Sequence, residues 1–258
     1  MKLALCFSGH PRTYTHCFDS IKKNLLDKYD CDTFLSTYNS TENINDDLIR
    51  LYKPKKYIFR NDSDVLKTVN KYNMDKLDNV KHFLTDPFDV GHINADDNKI
   101  YNIEEIYLHY EDKKFVYTKI TNNTLCQFFG FFDASKLCLE YMTEHEINYD
   151  YILRLRLDDI FYNDFIPYQL KENEILINMI HKYSDSINLH DMFFMAKPKT
   201  FFTIANLYND LPNIIQFINS NKCWLPTSGY QETLLYIHVL LCNIKIKACM
   251  PQFACVKY

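Results

Sequence analysis

The chain has 258 residues and a formal net charge of −4 at pH 7; 47% of its residues are hydrophobic and 24% are charged. This composition is typical of a globular protein and excludes a disordered chain. It lacks the basic excess that general nucleic-acid binding requires, so we expect no nucleic-acid partner. The length favours one large α/β domain over two, because each half would bury only a small core.

Glycine and cysteine usage excludes several further classes. With four glycines, the sequence contains neither a G-x-G-x-x-G nor a Walker motif, which disfavours a dinucleotide-binding domain and a P-loop NTPase. The nine cysteines form no C-x-x-C pair and indicate free thiols in a reducing compartment. The apolar N-terminus is too short for a signal peptide and no stretch has transmembrane length. We therefore expect a cytoplasmic protein, in the host cytoplasm if the source is viral.

The first sixty residues alternate between strand and helix patterns. Short apolar runs predict strands at 3–7, 32–37 and 56–59. An apolar stripe predicts a helix over 14–25, and a second helix is expected at 45–51. This alternation predicts a mostly parallel central sheet flanked by helices.

The middle of the chain has little periodicity, whereas the last part is regular again. Residues 60–120 are polar and punctuated by Pro87 and Gly91, which predicts long loops and short elements. Beyond them, apolar patterns predict helices at 123–146, 199–208, 211–219 and 231–241, and strands at 149–159, 174–179, 192–196 and 243–248.

The segment 151–159 carries the strongest chemical signal. In a strand, Arg154, Arg156 and Asp158 share one face, and Asp158 and Asp159 stand at the carboxyl end, where open α/β sheets bind ligands. Adjacent carboxylates hold hard divalent cations, and arginine forks bind phosphates. The pattern suits a nucleotide diphosphate with its metal ion, and it equally suits an edge strand with a solvated charged face.

A second candidate site follows the first strand, at Ser8-Gly9-His10-Pro11-Arg12. Backbone donors and the Ser8 hydroxyl suit a base or phosphate, and Arg12 suits a diphosphate. In the alternative interpretation, Gly9 forms the turn, Pro11 opens the helix and Arg12 is an ordinary surface residue.

These motifs together resemble GT-A glycosyltransferases, in particular small enzymes of polysaccharide gene clusters and large DNA viruses. The resemblance rests on the loop at 8–12, on Asp32-Thr33-Phe34, and on the Tyr-Asp-x-x-x-Arg-x-Arg-x-Asp pattern at 149–158, which is the most specific. It implies one GT-A-like, Rossmann-like domain over 1–258, with a nucleotide-binding half at 1–120 and a metal and acceptor half at 121–258. It also implies a nucleotide-diphosphate sugar donor, a glycan or other hydroxyl acceptor, and Mn²⁺ or Mg²⁺.

The sequence departs from the family's Asp-x-Asp metal motif at Leu157-Asp158-Asp159. The resemblance implies that one of the two carboxylates, Asp159 for example, contacts the metal. The other would contact ribose or sugar, and which of them does which stays open.

Two later residues are candidates for the base that takes the acceptor proton. Asp191 lies in a segment resembling the family's acceptor-facing acid, and Glu232 lies on a helix resembling one that carries another site acid. As alternatives, Asp191 caps a turn and Glu232 complements a helix dipole. His238, a possible third metal ligand, is interpreted as packed in the core.

The leading hypothesis is therefore metal-assisted sugar transfer from a nucleotide-diphosphate donor. A metal-dependent phosphohydrolase or nucleotidyltransferase is disfavoured, because the sequence lacks further ligand clusters and a glycine-rich basic loop. A non-catalytic carbohydrate-binding protein on a degenerate transferase fold is the third hypothesis. The four residues Arg154, Arg156, Asp158 and Asp159 count against it.

Overall fold

Strands and helices alternate along the chain in the computed structural model. It describes residues 1–71, 80–83, 90–92, 115–118, 122–161, 164–177, 180–183, 186–189, 192–220, 230–248 and 253–255. The strands are β1 Lys2–Gly9, β2 Asp30–Tyr38, β3 Lys56–Arg60, β4 Val80–Phe83, β5 Val90–His92, β6 Phe115–Thr118, β7 Tyr151–Leu155, β8 Asp159–Phe161, β9 Glu174–Ile177, β10 Ile180–Tyr183, β11 Ser186–Leu189, β12 Phe194–Ala196, β13 Lys245–Ala248 and β14 Phe253–Cys255. The helices are α1 Tyr14–Ile21, continued by a π-helical turn Lys22–Leu26, α2 Glu42–Tyr52, α3 Asp62–Lys71, α4 Asn122–His145, α5 Pro198–Ala205, α6 Leu207–Ser220 and α7 Tyr230–Leu241.

A seven-stranded sheet organises the described residues, in the order β13-β9-β12-β7-β1-β2-β3. β1 is an interior strand, parallel to its neighbours β2 and β7, and its residues Leu3–Phe7 are fully buried. β12 runs antiparallel to both of its neighbours. The predicted α/β class, with a mostly parallel sheet flanked by helices, is confirmed.

The strand order reverses beside β1. The chain proceeds outward from β1 to β2 and β3, and α4 then returns it to β7 on the opposite side of β1. A gap opens at the carboxyl ends of neighbouring strands whose connections leave in opposite directions, and open α/β sheets bind ligands there. The fold therefore places the ends of β1 and β7 at a binding position.

Each face of the sheet is covered by its own apolar core. On one face, Phe131 of α4 packs edge-on against Phe194 and Phe201, with ring centroids 5.2 and 5.5 Å apart. On the other face, Tyr52 of α2 contacts Phe7 at 4.9 Å. Cores on both faces explain why the central strands are apolar runs and not alternating patterns. In the described part of the chain, no helix combines the length and apolarity needed to cross a membrane.

The structure corrects the predicted strand over 149–159. β7 ends at Leu155, a turn follows, and the separate short strand β8 begins at Asp159. The expected alternation holds within β7, where Ile152 belongs to the α4-side core and Leu153 to the opposite one. The ladder pairing stops at Leu155, but the side chains keep their sides: Leu157 joins the core of Leu153, and Arg156 lines the cavity with Arg154.

Helix α3 lies inside the segment for which loops and short elements were predicted. Its buried residues Val65 and Val69 are one helical turn apart and belong to the α4-side core, while Asp62 and Asp64 stand in its first turn. This helix was not predicted, because two buried apolar positions are too few to form a visible stripe. The assignment of 1–120 and 121–258 as functional halves stays a prediction, although strands from both ranges share the central sheet.

We predict that Val69→Ala destabilises the protein by about 1–3 kcal/mol, because it leaves a cavity between α3 and the core. Urea denaturation measures the change, and Thr68→Ala on the exposed face of the same helix is the matched control. Equal free energies of unfolding for the two variants would show that α3 does not pack on the core.

Candidate functional site

A cavity of about 360 Å³ opens at the strand ends. Its floor is formed by the ends of β1, β2 and β7, and its walls by α3 and the first turns of α4. The cavity therefore lies where the strand order reverses, the position at which α/β sheets bind ligands. Gly9 reaches the floor with a φ of +112°, a conformation that L side chains rarely adopt.

Positive charge dominates the cavity wall. Arg12, Arg60, Arg154 and Arg156 line it, whereas Asp62 is the one carboxylate among the described lining residues. The walls also provide Ser8, Ser36 and Thr37 as hydroxyl groups. A concave site with this excess of guanidinium groups favours an anionic ligand, above all one with phosphate groups.

The guanidinium group of Arg60 is fixed by a carboxylate behind the wall. Asp133 of α4 accepts from Arg60 Nε at 2.7 Å and from Arg60 Nη2 at 2.8 Å, and its Oδ2 also accepts from the Ser36 hydroxyl at 3.0 Å. Asp133 is buried. The end of β3 is thereby tied to α4, and Arg60 is held in place before any ligand arrives.

Arg154 is a buried arginine that faces the cavity from β7. It pairs with Cys6 of β1 in the parallel ladder, is 3% exposed, and places its guanidinium carbon 4.9 Å from the ring centroid of Phe131. A cation over an aromatic face is stabilised electrostatically. The sheet register and α4 together fix this positive charge at the floor of the site.

Arg156 and Asp158 form a bidentate ion pair within the turn after β7. Arg156 Nε and Nη2 donate to the two carboxylate oxygens of Asp158 at 2.8 and 2.7 Å. The carboxylate is 2% exposed, whereas the arginine side chain is 18% exposed and lines the cavity. Asp158 thus contacts Arg156 from behind, and Arg156 itself lines the cavity.

Asp159 lies beneath the turn and away from the cavity wall. Its Oδ2 accepts the backbone N–H of Arg156 at 2.8 Å, and the residue lies near Cys17 and Tyr52, in the core on the side of α1 and α2. It is fully buried, and its Oδ1 has no hydrogen-bond partner among the described residues. Burial raises the pKa of Asp159 to about 8, so the group is mostly protonated at neutral pH.

An aromatic pair lies where β1 and β2 end, and this part of the cavity is called its aromatic end. The rings of His10 and Tyr38 stack with centroids 3.9 Å apart and 6° between their planes. Burial lowers the pKa of His10, and the charges of Arg12 and Arg156 lower it further, against the opposing effect of Asp62. A neutral imidazole at pH 7 therefore extends a flat surface, which is suited to a planar ring.

The structure brings most of the predicted binding residues together. Ser8, Gly9, Arg12, Arg154 and Arg156 all line one cavity, although they come from segments about 145 residues apart in the chain. The topology explains this, because β1 and β7 are adjacent and end at the same edge of the sheet.

The predicted acidic residues are not on the described wall of the cavity. Asp158 stands behind Arg156, and Asp159 lies beneath the turn. Glu232 is half-buried in the first turn of α7, whose Gln231 lies 3.5 Å from Thr124 of α4. Asp191 lies outside the described residues, so its predicted role as a base stays a prediction, as does that of Glu232.

The described residues do not fit the predicted metal ion. Both oxygens of Asp158 are bonded to Arg156, and Asp159 is fully buried beneath the turn. Within the described ranges, no three His, Cys, Asp or Glu side chains cluster as metal ligands would. His238 is 2% exposed, with its Nε2 3.1 Å from the Thr203 carbonyl oxygen, in agreement with its interpretation as a packed residue.

Several wall residues were not predicted from the sequence, among them Arg60, Asp62 and Tyr38. Tyr38 and Arg60 are the last residues of β2 and β3, and Asp62 opens α3. Because carboxyl ends of parallel strands meet at one edge, the ends of the two predicted strands were the signal that would have pointed to them.

Comparisons with known proteins give a distant likeness among solved structures. No protein-family model matches the chain, and no curated protein matches it significantly. Among solved structures, the apo form of mouse xyloside xylosyltransferase 1 is similar over 96% of this chain and 84% of that chain, with 11% sequence identity and a TM-score of 0.41. The interpretation of the site therefore rests on the geometry of this chain.

Asp159 predicts a pH dependence of stability. Its pKa is about 8 in the folded state and about 3.9 in an unfolded chain, so unfolding releases its proton between these values. Stability contributed by the protonated group is complete below pH 4 and is lost as pH rises towards 8. Asp159→Asn retains an acceptor for the Arg156 N–H and does not titrate.

We therefore expect wild type to lose roughly 1–4 kcal/mol more than Asp159→Asn between pH 5 and 8.5. Urea denaturation across this range measures it. Asp164→Asn is the matched control, because Asp164 is exposed, paired with Lys28, and has a lowered pKa. Parallel pH profiles for wild type and Asp159→Asn would contradict the prediction.

Proposed function

We propose that this chain is a glycosyltransferase that takes a sugar from a nucleotide-diphosphate donor and transfers it to a hydroxyl acceptor, such as one on a glycan. The observation that carries the proposal is the cavity at the ends of β1, β2 and β7, with four arginines and one carboxylate on its described wall. Such a site favours a compact ligand that carries several negative charges and one planar ring.

The diphosphate is assigned to the β7 end of the cavity. Arg154 and Arg156 stand there, and the turn at Gly9 brings backbone close to the same edge. Guanidinium groups held by a buried carboxylate or an aromatic ring are already oriented. Binding of the diphosphate therefore costs little side-chain entropy, and the charges already face the ligand. In sugar transfer these charges would stabilise the diphosphate as it leaves the anomeric carbon.

The nucleoside is assigned to the aromatic end. Tyr38 and His10 provide a flat surface, and Val65 and Leu66 of α3 provide an apolar wall. Asp62 adds an acceptor for ribose hydroxyls or base N–H groups. Base and diphosphate would then lie along the edge of the sheet, from β3 and β2 towards β7.

Transfer also requires a carboxylate or imidazole that accepts the proton of the acceptor hydroxyl. Asp191 and Glu232 remain the candidates for this role, the first outside the described residues and the second beyond the described cavity wall. We propose no metal-dependent step, because the described carboxylates do not form a ligand set.

A nucleotide- or sugar-binding protein without catalysis is the second candidate. It is favoured by one observation: Asp62 is the single carboxylate among the described lining residues, and neither candidate base is one of them. This candidate predicts ligand binding with no turnover.

We expect one or a few members of a panel of nucleoside diphosphates and their sugar conjugates to raise the melting temperature. At about 100 times Kd the ligand stabilises the folded state by about 2.7 kcal/mol. Arg12→Gln, at an exposed position on the cavity wall, is expected to weaken binding about 10-fold. Release of nucleoside diphosphate from the conjugate in the presence of acceptors then distinguishes transfer from binding.

The matched control is Arg50→Gln, because Arg50 lies on α2 and is 71% exposed beside Asp47. It is expected to bind the same ligand as wild type does. If no nucleotide or conjugate stabilises the protein, or if Arg12→Gln and Arg50→Gln behave alike, the cavity is not the proposed donor site.

A further inference from the structure

Asp158 and Asp159, at which the sequence predicts a divalent metal ion, are both buried and both accept hydrogen bonds from Arg156. Both oxygens of Asp158 are bonded to Arg156, at 2.8 and 2.7 Å, in a bidentate pair whose carboxylate is 2% exposed. A metal ion at Asp158 would have to displace a guanidinium group from a buried carboxylate, which would leave Arg156 without this counter-ion.

Asp159 offers no better ligand. It is fully buried below the turn, on the side of Cys17 and Tyr52, and its Oδ2 accepts the Arg156 N–H. Its interactions fix the backbone at Arg156. The two acids therefore both act on one residue, Asp158 on its guanidinium group and Asp159 on its backbone.

The charge that a metal ion would supply is present on the wall as guanidinium groups. Arg154 and Arg156 follow one another along β7 and the turn, and Arg12 approaches from the β1 loop. Charge-assisted N–H···O bonds from such forks neutralise phosphate oxygens, as a divalent ion does. Bidentate pairing with Asp158 restricts the plane of the Arg156 group before the ligand binds.

We propose that Asp158 is a positioning residue for Arg156, and that the chain binds the diphosphate of its donor through guanidinium groups without a divalent metal ion. This inference rests on the proposed function, since it concerns the same cavity and the same donor. It assigns to the acidic pair a role different from the one that the family resemblance implies.

The first test measures binding of UDP, GDP, ADP and CDP to the full chain by calorimetry, in EDTA and in Mn²⁺. The best ligand is expected to have the same Kd in both buffers within about 3-fold, since no metal bridges protein and diphosphate. Binding that requires Mn²⁺ would overturn this inference and leave the proposed function standing. Absence of nucleotide binding in both buffers would overturn both.

The second test is a double-mutant cycle in EDTA with Arg156→Gln, Asp158→Asn and the double variant. Arg156→Gln is expected to weaken nucleotide binding about 10- to 100-fold, and Asp158→Asn about 10-fold. On the Arg156→Gln background, Asp158→Asn is expected to change Kd by less than about 2-fold, because it acts only through Arg156.

The double variant also guards against misfolding, since Arg156→Gln alone leaves a buried carboxylate without its counter-ion. Arg50→Gln is again the control for loss of a surface arginine. Equal effects of Asp158→Asn on the two backgrounds would contradict a positioning role, as would unchanged binding by Asp158→Asn in EDTA.

Discussion

A guanidinium group in a protein interior needs a fixed counter-charge, an aromatic face or an anionic ligand, and this requirement shapes the site. Arg60 is held by the buried carboxylate of Asp133, Arg156 by that of Asp158, and Arg154 lies over the ring of Phe131. Each of these partners stands behind the cavity wall. The positive charges are thus held at a concave surface, in an arrangement that suits an anionic ligand.

The parallel sheet determines where these groups meet. β1, β2, β3 and β7 end at one edge, and the reversal of strand order between β1 and β7 leaves room there for a ligand. α4 closes the opposite wall and supplies both Phe131 and Asp133. α4 therefore packs on the core, contacts Arg60 and Arg154, and borders the cavity. The stability of the fold and the geometry of the site thus depend on the same contacts.

Much of the fold is predictable from sequence, because buried parallel strands and amphipathic helices leave clear apolar patterns, as in β1 and α1. The turn at 156–158 was not predictable in this way. Leu157 continues the apolar alternation, but bonds from Arg156 to Asp158 and Asp159, two and three residues away, compete with the strand ladder and end it. Through the same local bonds, Asp158 and Asp159 both contact Arg156.

The site was predictable only in part. Residues in adjacent motifs, such as Gly9 and Arg12, were found because a strand-to-helix loop is a recognisable binding element. Arg60 and Tyr38 were missed, since a single polar or aromatic residue at a strand end has no local pattern. Their roles depend on long-range contacts, for example that of Arg60 with Asp133, 73 residues away in the chain.

The central claim is that the arginine-lined cavity holds the diphosphate of a nucleotide. A crystal structure of the chain with the nucleoside diphosphate that stabilises it most would test this claim most directly. The account predicts phosphate oxygens within hydrogen-bond distance of the guanidinium groups of Arg154 and Arg156, with the base beside Tyr38. A nucleotide bound elsewhere on the chain, or a cavity that stays without phosphate at saturating concentration, would contradict it.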